Sequence, residues 1–185
     1  MSFEYSIRFS GAGGQGLVQI ARIVAEAAAI FENKNATESI SYGPEARGNT
    51  CRADIIISDG VIAYPKVKVV DFLLVLTQEA CDKYISELSP DGIIVADSEI
   101  NIGADSVDRK LITAPFKATS EEIFGAPVMT EIVALGFFAY MNKVIGEDAI
   151  QNAILARIPK NSEETYLKAL NAGLKLAADK NTSSE

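Results

Sequence analysis

The alternation of apolar and polar positions from Tyr5 to Ser10 predicts a short strand, and it runs straight into the stretch Gly11-Ala12-Gly13-Gly14-Gln15-Gly16. From Gly14 to about Phe31 the apolar positions Leu17, Ile20, Ala21, Val24, Ala25 and Ala28 recur at helical spacing. Their small size suits a helix lying close on a sheet. Asn35 to Ile40 reads as a second strand. Ser41 to Asn49 carries Gly, Pro and Asn with no apolar period, which predicts a polar loop. Arg52 to Ser58 returns to strand character through Ile55, Ile56 and Ile57. Asp59-Gly60 is a turn signal, and Val61 to Tyr64 is expected to pair back as a hairpin strand.

Phe72 to Leu76 is a continuous apolar run, as expected of a buried central strand. Thr77 is placed to cap a helix that runs to Leu88 and stops at Pro90-Asp91-Gly92. Ile93 to Ala96 and Lys110 to Thr113 read as further strands. The last third is helical. A helix from about Pro127 to Ile145 is apolar on nearly every side through Ile132, Val133, Leu135, Phe137, Phe138 and Met141. Such a helix is buried all round or turns one face to another chain. Two more helices are expected near Asp148 to Arg157 and Ser162 to Ala178. Strands alternating with helices predict an α/β, Rossmann-like fold with a mostly parallel sheet flanked by helices and a helical C-terminal third. Residues 1–178 read as one domain, with 179–185 as a loose polar tail.

Composition narrows the chemistry. Of the 185 residues 48% are apolar, enough for a substantial core. The net charge of −8 makes nucleic acid and anionic membrane surfaces poor partners. There is no histidine, which excludes a Ser-His-Asp triad and a histidine-ligated metal. Cys51 and Cys81 form no C-x-x-C pair, so neither an iron–sulfur cluster nor a structural zinc is expected on this chain. The start Met1-Ser2-Phe3-Glu4-Tyr5 has no basic n-region or apolar h-region, and the apolar run Ile132 to Met141 is shorter than the roughly 20 residues of a bilayer span. A soluble, cytoplasmic protein is expected.

Strand, G-x-G-x-x-G, then helix is the setting of a phosphate-binding turn. A dinucleotide reading also needs an acidic residue closing the second strand. Glu38 is the nearest, but it falls inside the strand. Gly14 makes a glycine doublet, and Gln15 brings an amide to the helix start. Three readings stay open for the loop: close packing of strand on helix, an anion site, or a contact with another protein.

Gly11-Ala12-Gly13-Gly14-Gln15-Gly16, Ser41-Tyr42-Gly43-Pro44-Glu45-Ala46-Arg47-Gly48 and Ala134-Leu135-Gly136 together resemble the gamma subunit, or gamma domain, of 2-oxoacid:ferredoxin (acceptor) oxidoreductases. That group includes the 2-oxoglutarate, pyruvate and 2-ketoisovalerate enzymes, and the chain is most like the 2-oxoglutarate one. The resemblance implies oxidative decarboxylation of a 2-oxoacid to an acyl-coenzyme A. It places thiamine diphosphate, Mg²⁺ and iron–sulfur clusters on partner subunits: alpha, beta and, as a further candidate, delta. It leaves this chain without a catalytic or metal-ligating residue of its own, helping to complete the active site or the coenzyme A site, with a gamma–gamma contact also open. The candidate contacts to substrate or coenzyme A are Gly11, Gly13, Gly14, Gln15, Gly16, Tyr42, Arg47 and Asn49. Arg47 comes first among them, because its fork suits a carboxylate or a phosphate. The family loop usually continues Arg-Gly-Gly, where this chain has Asn49, a residue that tolerates left-handed backbone. The alternatives are a free-standing NAD(P)- or flavin-binding oxidoreductase and a binding module without catalysis.

Overall fold

A computed structural model describes residues 3–42, 50–103 and 110–182. Strand β1 (Glu4–Ala12) leads through the glycine turn into helix α1 (Leu17–Glu26), which ends in a π turn, Ala27–Phe31. Strands β2 (Asn35–Tyr42), β3 (Thr50–Ser58) and β4 (Val70–Val75) follow. Helix α2 (Gln78–Tyr84) and a 3₁₀ turn (Ile85–Glu87) lead to β5 (Leu88–Asp97), then β6 (Lys110–Ala114). The rest is helical: α3 (Phe116–Phe124), α4 (Thr130–Met141), α5 (Glu147–Arg157) and α6 (Glu163–Thr182).

The six strands form one sheet in the order β2-β3-β1-β4-β5-β6. β1, β4, β5 and β6 pair in parallel, whereas β3 is antiparallel to both β1 and β2. β3 alone therefore runs against the others. The register sets Gly11 opposite Cys51, Ala12 opposite Thr50, and Tyr42 opposite Cys51. The stems of the Ser41–Asn49 segment thus leave and re-enter the sheet beside the glycine turn, at the carboxyl end of β1.

Pleating divides the strand residues between two cores. On one face Ile7, Phe9, Ile55, Ile57, Phe72 and Leu74 pack under α1, α4 and α5. Phe138 of α4 meets Phe9 and Phe72 edge-to-face, with ring centroids 5.3 and 4.9 Å apart. On the other face Leu73, Val75, Ile94 and Ala96 pack against Ala80, Cys81 and Tyr84 of α2. Arg8 is wholly buried beside this second core. Its Nε and Nη2 donate to the Asp54 carboxylate at 2.6 and 3.0 Å, and Nη1 to Glu87 at 2.6 Å. The bidentate Arg8–Asp54 pair ties β1 to β3, and Glu87 links Arg8 to the 3₁₀ turn that follows α2.

Several expectations are corrected. Residues 61–64 form no hairpin strand, because β3 is already paired on both sides. Helix α3 lies where no helix was expected. The apolar helix is shorter than expected, Thr130–Met141, and Ile132 through Ala139 are buried inside this chain. Its apolar surface is spent on the sheet and on α6, so it offers no face of that kind to another chain. The last helix continues past Ala178 to Thr182, through the first residues of the expected tail. Pro90-Asp91-Gly92 lies in a register shift within β5 rather than before it.

Candidate functional site

The turn after β1 is held by its own side chain. Gln15 Oε1 accepts the Ala12 amide at 2.7 Å, and the Gln15 amide donates to Ala12 O at 3.3 Å. A side chain on Gly11 would displace that Gln15 oxygen from the Ala12 amide and so disturb the bond that closes the turn. Gly14 (φ 91°) and Gly16 (φ 72°) take left-handed backbone that glycine adopts without penalty. Gly13 and Gly14 are exposed at the tip. Gly16 has a second constraint: Cγ and Cδ of Glu131, at the start of α4, stand 2.6 and 2.9 Å from where a Cβ would be.

The chain order turns back between β1 and β4, and a cleft of about 780 Å³ opens there. Open α/β sheets bind ligands at such switch points. Gly14, Gln15 and Gly16 line one side, Leu76 to Gln78 the floor, and Asp97, Glu99, Lys117 and Glu131 the rim. Asp97 is buried and spends its carboxylate on the amides of Glu99 and Lys117 at 3.0 and 2.9 Å. Lys117 Nζ is paired with Glu99 at 2.9 Å. Burial pushes the Glu131 carboxyl above the usual carboxylate range, only partly opposed by its own backbone N–H. Among the described residues the rim is therefore acidic, and the cation there, Lys117, is already engaged.

On the other side of α1 lies a shallower groove of about 470 Å³, lined by Val18, Arg22, Tyr42, Cys51 and Arg157 among others. Tyr42 exposes two-thirds of its surface there. Arg22 pairs with Glu38 at 3.3 Å and Arg157 with Glu26 at 3.1 Å. Burial pushes the Cys51 thiol up, away from the thiolate form that a nucleophile uses.

The structure thus brings Gly11, Gly13, Gly14, Gln15, Gly16 and Tyr42 to one end of the sheet. Arg47 and Asn49 lie outside the described residues. Reasoning from sequence missed Glu131, Asp97 and Lys117, which only the crossing of α4 over the glycine turn and the end of β5 bring together. A dinucleotide fits poorly. β3 separates β2 from β1 by two strand spacings, roughly 9–10 Å, and Glu38 faces α1 rather than the turn. Among the described residues no group of three or more His, Cys, Asp or Glu is arranged to hold a metal ion.

The pyruvate ferredoxin/flavodoxin oxidoreductase family profile matches residues 6–176. The chain belongs to this family. Among family members, the 2-oxoglutarate synthase subunit KorC of Methanocaldococcus jannaschii is 35% identical over 94% of this chain and 94% of its own. The crystal structure of a keto/oxoacid ferredoxin oxidoreductase gamma subunit from Geobacter sulfurreducens is 37% identical, with a TM-score of 0.86 over 96% of this chain and 98% of that one. A 2-oxoglutarate:ferredoxin oxidoreductase from Magnetococcus marinus, solved with 2-oxoglutarate, coenzyme A and succinyl-CoA bound, shares the fold. Its TM-score is 0.85 at 17% identity, over 95% of this chain and 31% of that chain. These likenesses favour the oxidoreductase-subunit reading over a free-standing NAD(P) or flavin enzyme. Among the described residues no helix is long and apolar enough to cross a membrane.

Proposed function

We propose that this chain is the gamma subunit of a cytoplasmic 2-oxoglutarate:ferredoxin oxidoreductase. In this reading it works with alpha and beta subunits, with delta as a further candidate, that carry thiamine diphosphate, Mg²⁺ and the iron–sulfur clusters, and it catalyses nothing alone. Its part is to form one wall of a composite site with the glycine turn, Tyr42 and the segment holding Arg47 and Asn49. Arg47 would meet the oxoacid carboxylate or a phosphate of coenzyme A through charge-assisted hydrogen bonds. End-to-end likeness to KorC at 35% identity carries the choice of 2-oxoglutarate.

The test is co-expression of the whole set of subunits with and without this chain, followed by coenzyme A-dependent reduction of ferredoxin. Activity is expected only when this chain is present. The ratio kcat/KM is expected to favour 2-oxoglutarate over pyruvate and 2-ketoisovalerate by at least about tenfold, equivalent to roughly 1.4 kcal/mol. Undiminished activity without the chain, or a preference for another oxoacid, overturns the reading.

A further inference from the structure

Alternate side chains on one face of β3 bind it to the α2 side of the sheet. Asp54 holds the buried Arg8, which also reaches Glu87 in the 3₁₀ turn. Arg52 stands over the Tyr84 ring, 5.5 Å from its centroid, and pairs with Asp54 and Glu87 at 3.8 Å. Thr50, the first residue of β3, is buried and donates its hydroxyl to Glu79 Oε1 at 2.5 Å. That is the length of a hydroxyl bonded to a carboxylate. Threonine is stiff at χ1, so holding its hydroxyl holds the backbone beneath it. Glu79 lies in the first turn of α2, and the start of α2 is itself fixed twice. Thr77 Oγ1 accepts the Ala80 amide at 3.3 Å, and Gln78 exchanges two bonds of 2.9 Å with the Asn101 backbone. Leu76 to Gln78 form the floor of the cleft, and Thr50 pairs with Ala12 in the glycine turn. One hydroxyl–carboxylate contact thus sets the start of β3 against both.

We propose that Glu79 is a positioning residue of the candidate site: through Thr50 it fixes the stem by which the segment holding Arg47 enters β3, and so the placement of the Arg47 fork for its anion. Arg47 stands three residues ahead of Thr50 in the sequence. An acidic residue in a first helical turn suits the helix dipole by itself. That role, however, needs no buried hydroxyl facing it. The inference rests on the reading of Arg47 given above.

The test is steady-state kinetics of the assembled enzyme with Glu79→Ala, Thr50→Val, Thr50→Ser or Arg47→Ala, and with Glu79→Ala and Arg47→Ala combined. Glu79→Ala and Thr50→Val are expected to lower kcat/KM about 3- to 10-fold. The loss should fall on the same substrate, oxoacid or coenzyme A, and in the same parameter, kcat or KM, as that of Arg47→Ala. Thr50→Ser keeps the hydroxyl and is expected to stay within about twofold of wild type. The combined variant is expected to lose no more than about twofold beyond Arg47→Ala, because both changes act through one contact. Losses that multiply, or a Glu79→Ala enzyme equal to wild type beside a damaged Arg47→Ala enzyme, overturn the proposal and leave the reading of Arg47 standing. Failure of both Glu79→Ala and Thr50→Val to fold or assemble also overturns it, since the contact is then purely structural. An Arg47→Ala enzyme equal to wild type for both substrates overturns the reading of Arg47, and this proposal with it.

Discussion

Glu131 shows how one side chain changes the meaning of a motif. G-x-G-x-x-G spacing reports only that backbone must turn tightly and lie close to something. At Gly16 that something is a glutamate from another element. The carboxyl has a stability consequence as well. Burial raises its folded-state pKa above the unfolded value, so the folded chain holds that proton more tightly. The stability this confers is present in full below the ordinary carboxylate range. It is lost as pH rises through the raised folded value, beyond which the ionised carboxyl is a burden on the fold. Glu131→Gln removes the burden. The variant is expected to melt above wild type at pH 7, with the difference closing as pH falls toward the ordinary carboxylate range. Thermal melts across that interval check it, and a variant that melts below wild type at pH 7 contradicts the assigned cause.

Helices α4 and α6 explain Ala134-Leu135-Gly136 at the scale of elements. A Cβ on Gly136 would run into the backbone carbonyl of Leu170, and one on Gly173 into that of Val133. The two helices cross backbone against backbone, and neither carbonyl can swing aside as a side chain can. Alanine favours an isolated helix by about 1 kcal/mol over glycine, yet here it must push the helices apart. Gly136→Ala and Gly173→Ala are each expected to destabilise by about 1–3 kcal/mol, lowering the melting temperature by roughly 2–10 °C. Calorimetry of the two variants decides, and a rise in melting temperature would show that the crossing is not this tight. Periodicity revealed α1, because it shows a buried stripe and a wetter one. α4 was visible for the opposite reason, being apolar all round, which left open what covered it; the answer is α6 and the sheet. Helix α3 escaped notice because Lys117, Glu121 and Glu122 dilute its apolar face. The hairpin expected at Val61–Tyr64 failed for a topological reason. A turn signal cannot reveal that both edges of β3 are taken, and no local pattern states that β3 lies between β2 and β1.

The molecule as a whole carries a net charge of −8, and the cleft beside its glycine turn has an acidic rim. An enzyme acting on oxoacids and coenzyme A needs positive charge where its anionic substrates lie. The described cations beside the glycine turn are engaged: Lys117 with Glu99, Arg22 with Glu38, Arg157 with Glu26. That focuses attention on Arg47, whose segment leaves the sheet at Tyr42 and returns at Thr50, next to Ala12. Of the candidate site, sequence made the glycines and Tyr42 legible through spacing and resemblance, whereas the acidic rim was assembled from distant segments and left no local trace. Arg47→Ala is expected to leave folding and subunit assembly intact. In the assembled enzyme it should lower kcat/KM for the oxoacid or for coenzyme A about 10- to 150-fold, the loss of one charge-assisted hydrogen-bonded contact of ~1.5–3 kcal/mol. Arg47→Lys should recover only part of this, since an ammonium cannot supply the bidentate fork. Steady-state assays that vary the oxoacid and coenzyme A separately identify which anion Arg47 meets. If both variants matched wild type for both substrates, Arg47 would have no part in the site, and the segment between β2 and β3 would serve assembly instead.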